Sequence, residues 1–326
     1  MSQKCKINIV VPCYNAHATL DRLLSSVAMQ TIKNKVRVIL VNDKSEKDYS
    51  EFIFKFKDLL DIEEISNDKN YGVGYTRSRG MCYGDSEYIT CIDSDDTFQN
   101  PFALEELLKV MEEGNFDVVN SIFLEELENK TFIKHEYDSI WMFGKLYRRK
   151  FLEDNKIIMN STTANEDTGF NMVVFNIGKV GYLNDVTYIW HFNENSITRK
   201  EKGIYRFTGV KGWIKNMAWA NKELQRLNLP KDIYRKVVLE SMVISYFFYL
   251  GFCNDEDKRV RPELVIKWLK KYYLKYYQEQ NYTKNDILEC YRKIALTKEE
   301  IVKFIPEINV YQFIDKVCRE EGYSWK

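Results

Sequence analysis

Along the first 120 or so residues the chain alternates between two periodicities. Ile7 to Val11 is an uninterrupted apolar run ending at Pro12, the pattern of a strand covered on both faces. Thr19 to Met29 then sets Leu20, Leu23, Leu24 and Val27 at helical spacing. A second apolar run, Val36 to Val41, ends at Asn42-Asp43, and a third, Tyr88 to Ile92, runs into Asp93. Leu104 to Met111 predicts a helix and Val118 to Phe123 a strand. Strands alternating with helices predict an α/β fold: a mostly parallel sheet flanked by helices. Ligands meet such sheets at the carboxyl ends of the strands. Three of those ends carry Pro12-Cys13-Tyr14-Asn15, Asn42-Asp43 and Asp93-Ser94-Asp95-Asp96.

Beyond residue 125 the pattern is mixed, with short strands predicted at Val180–Leu183 and Thr187–His191. After residue 204 it turns helical, and Pro230, Pro262 and Pro306 fall where helices can begin. A division into 1–203 and a helical 204–326 follows. Val237 to Phe252 is the most apolar stretch, but it is short and interrupted by Glu240, so it reads as a buried helix. Val265, Trp268, Leu269, Tyr272, Tyr273 and Tyr276 share one helix face, opposite Lys267, Lys270, Lys271 and Lys275. That lysine face is either a solvated surface or a contact with an anionic membrane or acceptor.

Composition narrows the partners. The 326 residues hold 48 basic and 48 acidic side chains, and a balanced chain gives no support to phosphate-driven nucleic-acid binding. Seven cysteines, odd in number and without a CxxC pair, and the lack of a secretory leader point to reduced thiols in a cytoplasmic protein, with the inner face of the membrane as a possible station.

The chemistry gathers at the strand ends. Asp93 and Asp95, two residues apart past a buried strand, can approach one hard cation and the diphosphate it neutralises; alternatively the acidic run is a turn or helix cap. Asp43 is either a turn residue or an acceptor for the ring N–H of a base. Gly72 and Gly74, followed by Arg77, read as a loop entering a helix, bringing N–H groups and a guanidinium towards phosphate.

Taken together, VVPCYN at 10–15, VNDKS at 41–45, NYGVGYTRSRG at 70–80 and IDSDD at 92–96 resemble the inverting glycosyltransferases of family 2 in order and spacing. The likeness continues through GKLYRRKFLEDNKI at 144–157, NEDTGF at 165–170 and WHFNENSITR at 190–199, and so covers about the first 200 residues. It implies a GT-A type, Rossmann-like catalytic domain at 1–203, followed by a C-terminal helical region serving the acceptor or an interaction. It also implies a donor site in which Pro12, Tyr14 and Asn15 lie under the nucleotide and Asp43 pairs with the base. Arg77 would then lie near base or diphosphate, and Asp93 and Ser94 near ribose or metal. Asp95 becomes the principal ligand of Mn²⁺ or Mg²⁺, with His191 as a metal or diphosphate contact beside Arg199, or simply a core histidine. Asp167 becomes the general base, with Glu166 as the alternative and a first-turn helix acid as the plain reading. Lys145 is either structural or a phosphate contact.

The resemblance therefore implies transfer of a sugar from a nucleotide-sugar donor, by default a UDP-sugar, to a saccharide, lipid-linked or protein acceptor, with a surface glycan or wall polymer as the default. This chain departs from the family's pattern at Asn42, where an aspartate is common, at Lys44, where glycine is common, and at Ser78, where asparagine is frequent. It has no QxxRW, which argues against a processive cellulose- or hyaluronan-type synthase and for single sugars. Three other classes compete. An NAD-dependent oxidoreductase needs GxGxxG after the first strand, where PCYN stands instead. A nucleotidyltransferase usually has a basic glycine-rich loop there. A non-catalytic binding protein has no need of Asp95 and Asp167.

Overall fold

The computed structural model describes residues 5–162, 165–194, 196, 204–253, 261–297 and 308–319, and the chain divides into two compact units, 1–196 and 197–326. In the first unit β1 (Ile7–Cys13), β2 (Val36–Asn42), β3 (Asp61–Ser66) and β4 (Tyr88–Cys91) are joined through α1 (Leu20–Ala28), α2 (Ser50–Phe56) and α3 (Val73–Met81). β5 (Thr97–Phe98), α4 (Ala103–Gly114), β6 (Val118–Glu126), β7 (Phe132–His135), β8 (Lys145–Arg148), α5 (Arg149–Asp154), α6 (Glu166–Ile177) and β9 (Val180–Trp190) complete it.

Among the described residues the strands form one sheet in the order β3-β2-β1-β4-β8-β6-β9-β5, with β7 paired to β6. The sheet is parallel through β3-β2-β1-β4, as the alternation predicts. From β6 onward it is mixed, not mostly parallel: β8 lies antiparallel between β4 and β6, while β9 runs parallel to β6. The cause is local: the chain reverses at the tight β6–β7 turn, and the helix-free connection at 136–144 carries it on in that same direction to β8, on the other side of β6. The two short strands expected at 180–191 are one strand. Its register on β6 shifts around Ser121–Phe123, and the displaced Asn184-Asp185 breaks the apolar pattern.

The core sits under β1 and β2. Ile9, Val11, Val38 and Leu40 are buried with Leu20, Leu23, Leu24 and Val27, the stripe that makes α1 a helix on this sheet. α3 packs unusually close. A Cβ on Gly80 would stand 2.4 Å from Val10 Cγ1 and 2.8 Å from Val41 Cγ2, so only glycine lets this helix reach the sheet.

The second unit is helical: α7 (Ile204–Arg226), α8 (Lys231–Cys253), α9 (Glu263–Tyr272), α10 (Leu274–Gln278), α11 (Lys284–Ala295) and α12 (Val310–Cys318). Pro230 and Pro262 stand just before α8 and α9, whereas Pro306 lies outside the described residues. Capping boxes at Thr283/Asp286 and Asn309/Gln312 start α11 and α12. By length and composition alone α8 is able to cross a membrane. However, 67% of its most apolar window is buried within the protein, and it packs as a core helix. Tyr273, buried in this core, is satisfied: its Oη donates to Val238 O at 2.8 Å and accepts from Asn221 Nδ2 at 3.2 Å.

Candidate active site

The site is built where β1, β2 and β4 end. After β1, Asn15 takes a left-handed conformation (φ 51°), its N–H donates to Ser45 Oγ, and its Oδ1 accepts from Glu46 N. This ties the β1 loop to the β2 loop, next to Pro12 and the 58%-exposed Tyr14. Lys44 holds φ 65°, a conformation glycine adopts without strain, so the departure noted at this position carries a conformational cost. The second departure is compensated. Asn42 Nδ2 donates to Glu64 Oε1 at 2.8 Å, where an aspartate would face another carboxylate.

Asp43 is buried and accepts three hydrogen bonds, from Asn67 Nδ2 at 2.7 Å, Tyr71 N–H at 2.9 Å and Gly72 N–H at 2.8 Å. The N–H groups expected to face phosphate are thus spent on Asp43, and this carboxylate holds the glycine loop in place. Gly72, at φ 86°, is the turn residue that permits it.

Arg77 is likewise engaged inside the protein. Nη2 donates to Asp93 Oδ1 and Nη1 to Glu166 Oε1, both at 2.5 Å, and the guanidinium is buried. It joins the acidic loop after β4 to the first turn of α6. Glu166 is locked by this pair, with a side chain 4% exposed. Asp167 Oδ1 accepts from its neighbour Thr168 N–H at 2.7 Å, the contact of a first-turn acid, while among the described residues no side chain bonds Oδ2. Burial raises the Asp167 carboxyl above its ordinary range, partly opposed by Arg77. Burial and the Asp167 charge raise Glu166 as well.

The three aspartates of the acidic loop have different surroundings. Asp96 is fully buried, accepts from Tyr188 Oη at 2.5 Å and His191 N–H at 2.8 Å, and is pushed well up by burial. It fastens the loop to β9 and caps no helix. Asp95 Oδ2 accepts from Asn193 Nδ2 at 2.7 Å, and its carbonyl accepts from Arg22. Burial and the Asp93 charge raise its carboxyl. Ser94 stands between Asp93 and Asp95, partly exposed.

No group of three His, Cys, Asp or Glu side chains is arranged to hold a metal by itself among the described residues. Two neighbouring carboxylates, Asp95 raised by burial and by the charge of Asp93, nonetheless fit a hard cation whose remaining positions go to phosphate oxygens and water. His191 does not add a free ligand. Its Nδ1 lies 3.0 Å from Glu126 Oε2 and its Nε2 2.9 Å from Thr97 Oγ1, so ligation through either nitrogen requires breaking a hydrogen bond. Burial lowers its pKa, against the pull of Glu126. Lys145 is wholly buried, bonded to Phe143 O at 3.3 Å, and burial draws its amine down to about 8; it touches no surface and is structural as placed. Arg199 lies outside the described residues.

Residues 8–165 match the family model described as glycosyl transferase family 2. Those residues are a family 2 glycosyltransferase domain. Among curated relatives, the processive diacylglycerol beta-glycosyltransferase of Mycoplasma pneumoniae is 36% identical over 135 residues, 40% of this chain and 39% of the relative. The cholesterol galactosyltransferase of Borreliella burgdorferi is 25% identical over 290 residues, 79% of each chain. The match spans between a third and about half of the length of the first three curated relatives. In fold, the chain is similar to residues 1–349 of S. aureus TarS, crystallised with UDP-GlcNAc, with a TM-score of 0.67, 18% identity and coverage of 90% and 92%.

Within the first unit, four positioning side chains carried no role in the sequence analysis: Arg22, Glu126, Tyr188 and Asn193. Tyr188 donates to Asp96 and accepts from Asp93 N–H at 3.3 Å, yet in sequence it reads as an ordinary core aromatic. Asn193 is the one with a signal, since it lies inside the WHFNEN segment.

Proposed function

We propose that this protein transfers a single sugar, with inversion, from a UDP-sugar to a hydroxyl of a lipid-linked saccharide or cell-envelope polymer. The observation that carries the reading is the ion-paired chain Asp93–Arg77–Glu166, which sets the acidic donor loop and the neighbouring Asp167 carboxylate in fixed register. A carboxylate at Asp167 takes the proton of the incoming hydroxyl as its oxygen bonds the anomeric carbon, while the bond from that carbon to the diphosphate breaks on the opposite side. Asp93 and Asp95 would hold Mn²⁺ or Mg²⁺, which when bound neutralises charge on the departing diphosphate. Asp43 has three accepted bonds and so keeps room for one more donor, the imino N–H of a uracil. Tyr14, Asn15 and Pro12 form the floor beneath it, and the stacked Tyr71–Tyr75 pair, 4.3 Å between centroids, borders the same loop.

The acceptor class follows the relatives, which are named for diacylglycerol, cholesterol and poly(ribitol-phosphate). Incubating the protein with a panel of sugar nucleotides tests the donor side. UDP-sugars should raise the melting temperature and be slowly hydrolysed, whereas stabilisation by NAD alone would contradict the reading. Since some relatives are named processive, product length tests the single-sugar assignment: one added sugar is expected, and a ladder overturns it.

A further inference from the structure

The zero net charge conceals a partition between the two units. Residues 1–196 carry 22 Lys and Arg against 31 Asp and Glu, whereas residues 197–326 carry 26 against 17. In the second unit the excess has a definite place. α7 exposes Lys211, Lys215 and Lys222, and α9 and α10 expose Lys267, Lys271 and Lys275 at intervals of four. The two rows form one surface, because Lys215 Nζ and Lys271 Nζ both sit over the Tyr272 ring, 5.4 and 5.3 Å from its centroid. Lys275 Nζ lies over Tyr276 at 4.7 Å.

Among the described residues none of these six lysines is paired with a carboxylate. Of the acids on the same helices, Glu223 pairs with Arg226, Glu279 bonds Gln225, and Glu263 stands at the start of α9. Two ammonium groups converging on one ring without a counter-ion are a standing demand for negative charge.

We propose that this lysine face docks the protein on an anionic lipid bilayer. The chemistry favours a bilayer over nucleic acid. The cations of the two rows are lysines, point charges on long apolar stems, and Arg226, the exposed arginine among the described side chains of α7, is paired with Glu223; the rows themselves contain no guanidinium fork of the kind that reads phosphates bidentately. The half-buried Tyr272 ring beside two lysine ammonium groups suits the headgroup layer, where amphipathic rings and snorkelling lysines both settle. Six lysines also fall within the four to eight that give electrostatic adsorption. The inference stands apart from the donor-site reading, since it rests on residues of the other unit.

Sedimentation of the full chain with vesicles tests it. Binding is expected to phosphatidylcholine vesicles containing one third phosphatidylglycerol, to weaken with added salt, and to be absent with phosphatidylcholine alone. Each lysine near the surface contributes roughly 5-fold, so the combined Lys215→Glu, Lys267→Glu and Lys271→Glu variant should bind at least about 100-fold more weakly. The corresponding arginine variant should bind normally. Equal binding to both vesicle types, or an unaffected glutamate variant, overturns the proposal. Tighter binding of soluble polyphosphate or duplex DNA than of the mixed vesicles also overturns it, in favour of an extended polyanion.

Discussion

The two units treat charge in opposite ways. Among the described residues every buried Asp, Glu, Lys and Arg belongs to the first: Asp43, Arg77, Asp96, Lys145, Arg149, Glu166 and Asp167. The buried polar side chains of the second are neutral, Asn216, Asn221, Ser241 and Ser245, each bonded to the carbonyl four residues earlier in its own helix. Burying a charge is expensive unless it is paired, so a unit that does so repeatedly is organised around a site. A unit that keeps its charge outside is held by aromatic packing and meets its partners at the surface. The first unit's chemistry is therefore read from its interior and the second's from its exterior.

The sharpest way to break this comparison is to remove the cation at its centre. Arg77→Met leaves Asp93 and Glu166 without their shared partner and should cost about 3–5 kcal/mol in chemical denaturation. A loss below 1 kcal/mol would mean that the ion-paired chain does not organise the unit. Next comes Asp167→Asn, which keeps shape and removes the proton acceptor. Turnover should fall by at least about 10²-fold while donor affinity changes only a few-fold. If Glu166→Gln abolishes transfer and Asp167→Asn does not, the base is assigned one residue too late.

Proton linkage sharpens the same point. The Asp167 carboxyl is raised by burial, so its accepting form is lost as pH falls through a value above the ordinary ~4. The acid limb of kcat should lie above that value; a limb at or below it would argue against Asp167. Smaller effects probe the frame. Gly80→Ala should cost about 1–3 kcal/mol, since its methyl would meet Val10 and Val41. Lys44→Gly should gain about 0.5–1 kcal/mol by relieving the left-handed backbone, measured by thermal unfolding.

The parallel half of the sheet was legible because buried strands and amphipathic helices write different periods. β1, β2, β4, α1 and α4 appear within a few residues of their predicted places. The mixed half was not, since the chain reverses at the β6–β7 turn and β8 keeps that direction across β6, and the break at 184–185 imitates a strand end. Site residues were legible as residue types at strand ends but not as bonding partners. Sequence order could not reveal that Arg77 would reach Asp93 and Glu166, 16 and 89 positions away, or that Asp43 would face the loop N–H groups. The lysine face was visible as spacing, but its continuity across α7 and α9 depended on both rows meeting at Tyr272.

At the strand ends, Asp95 is proposed to share a divalent cation with a nucleoside diphosphate. Calorimetric titration of UDP into the protein, with Mn²⁺ and then with excess chelator, tests it most directly. Binding should be tight with the metal and lost with the chelator, and Asp95→Asn should bind in both conditions as the wild type does with chelator. Equal affinity in the two conditions would make the Asp93–Asp96 loop a turn and not a metal-assisted donor site.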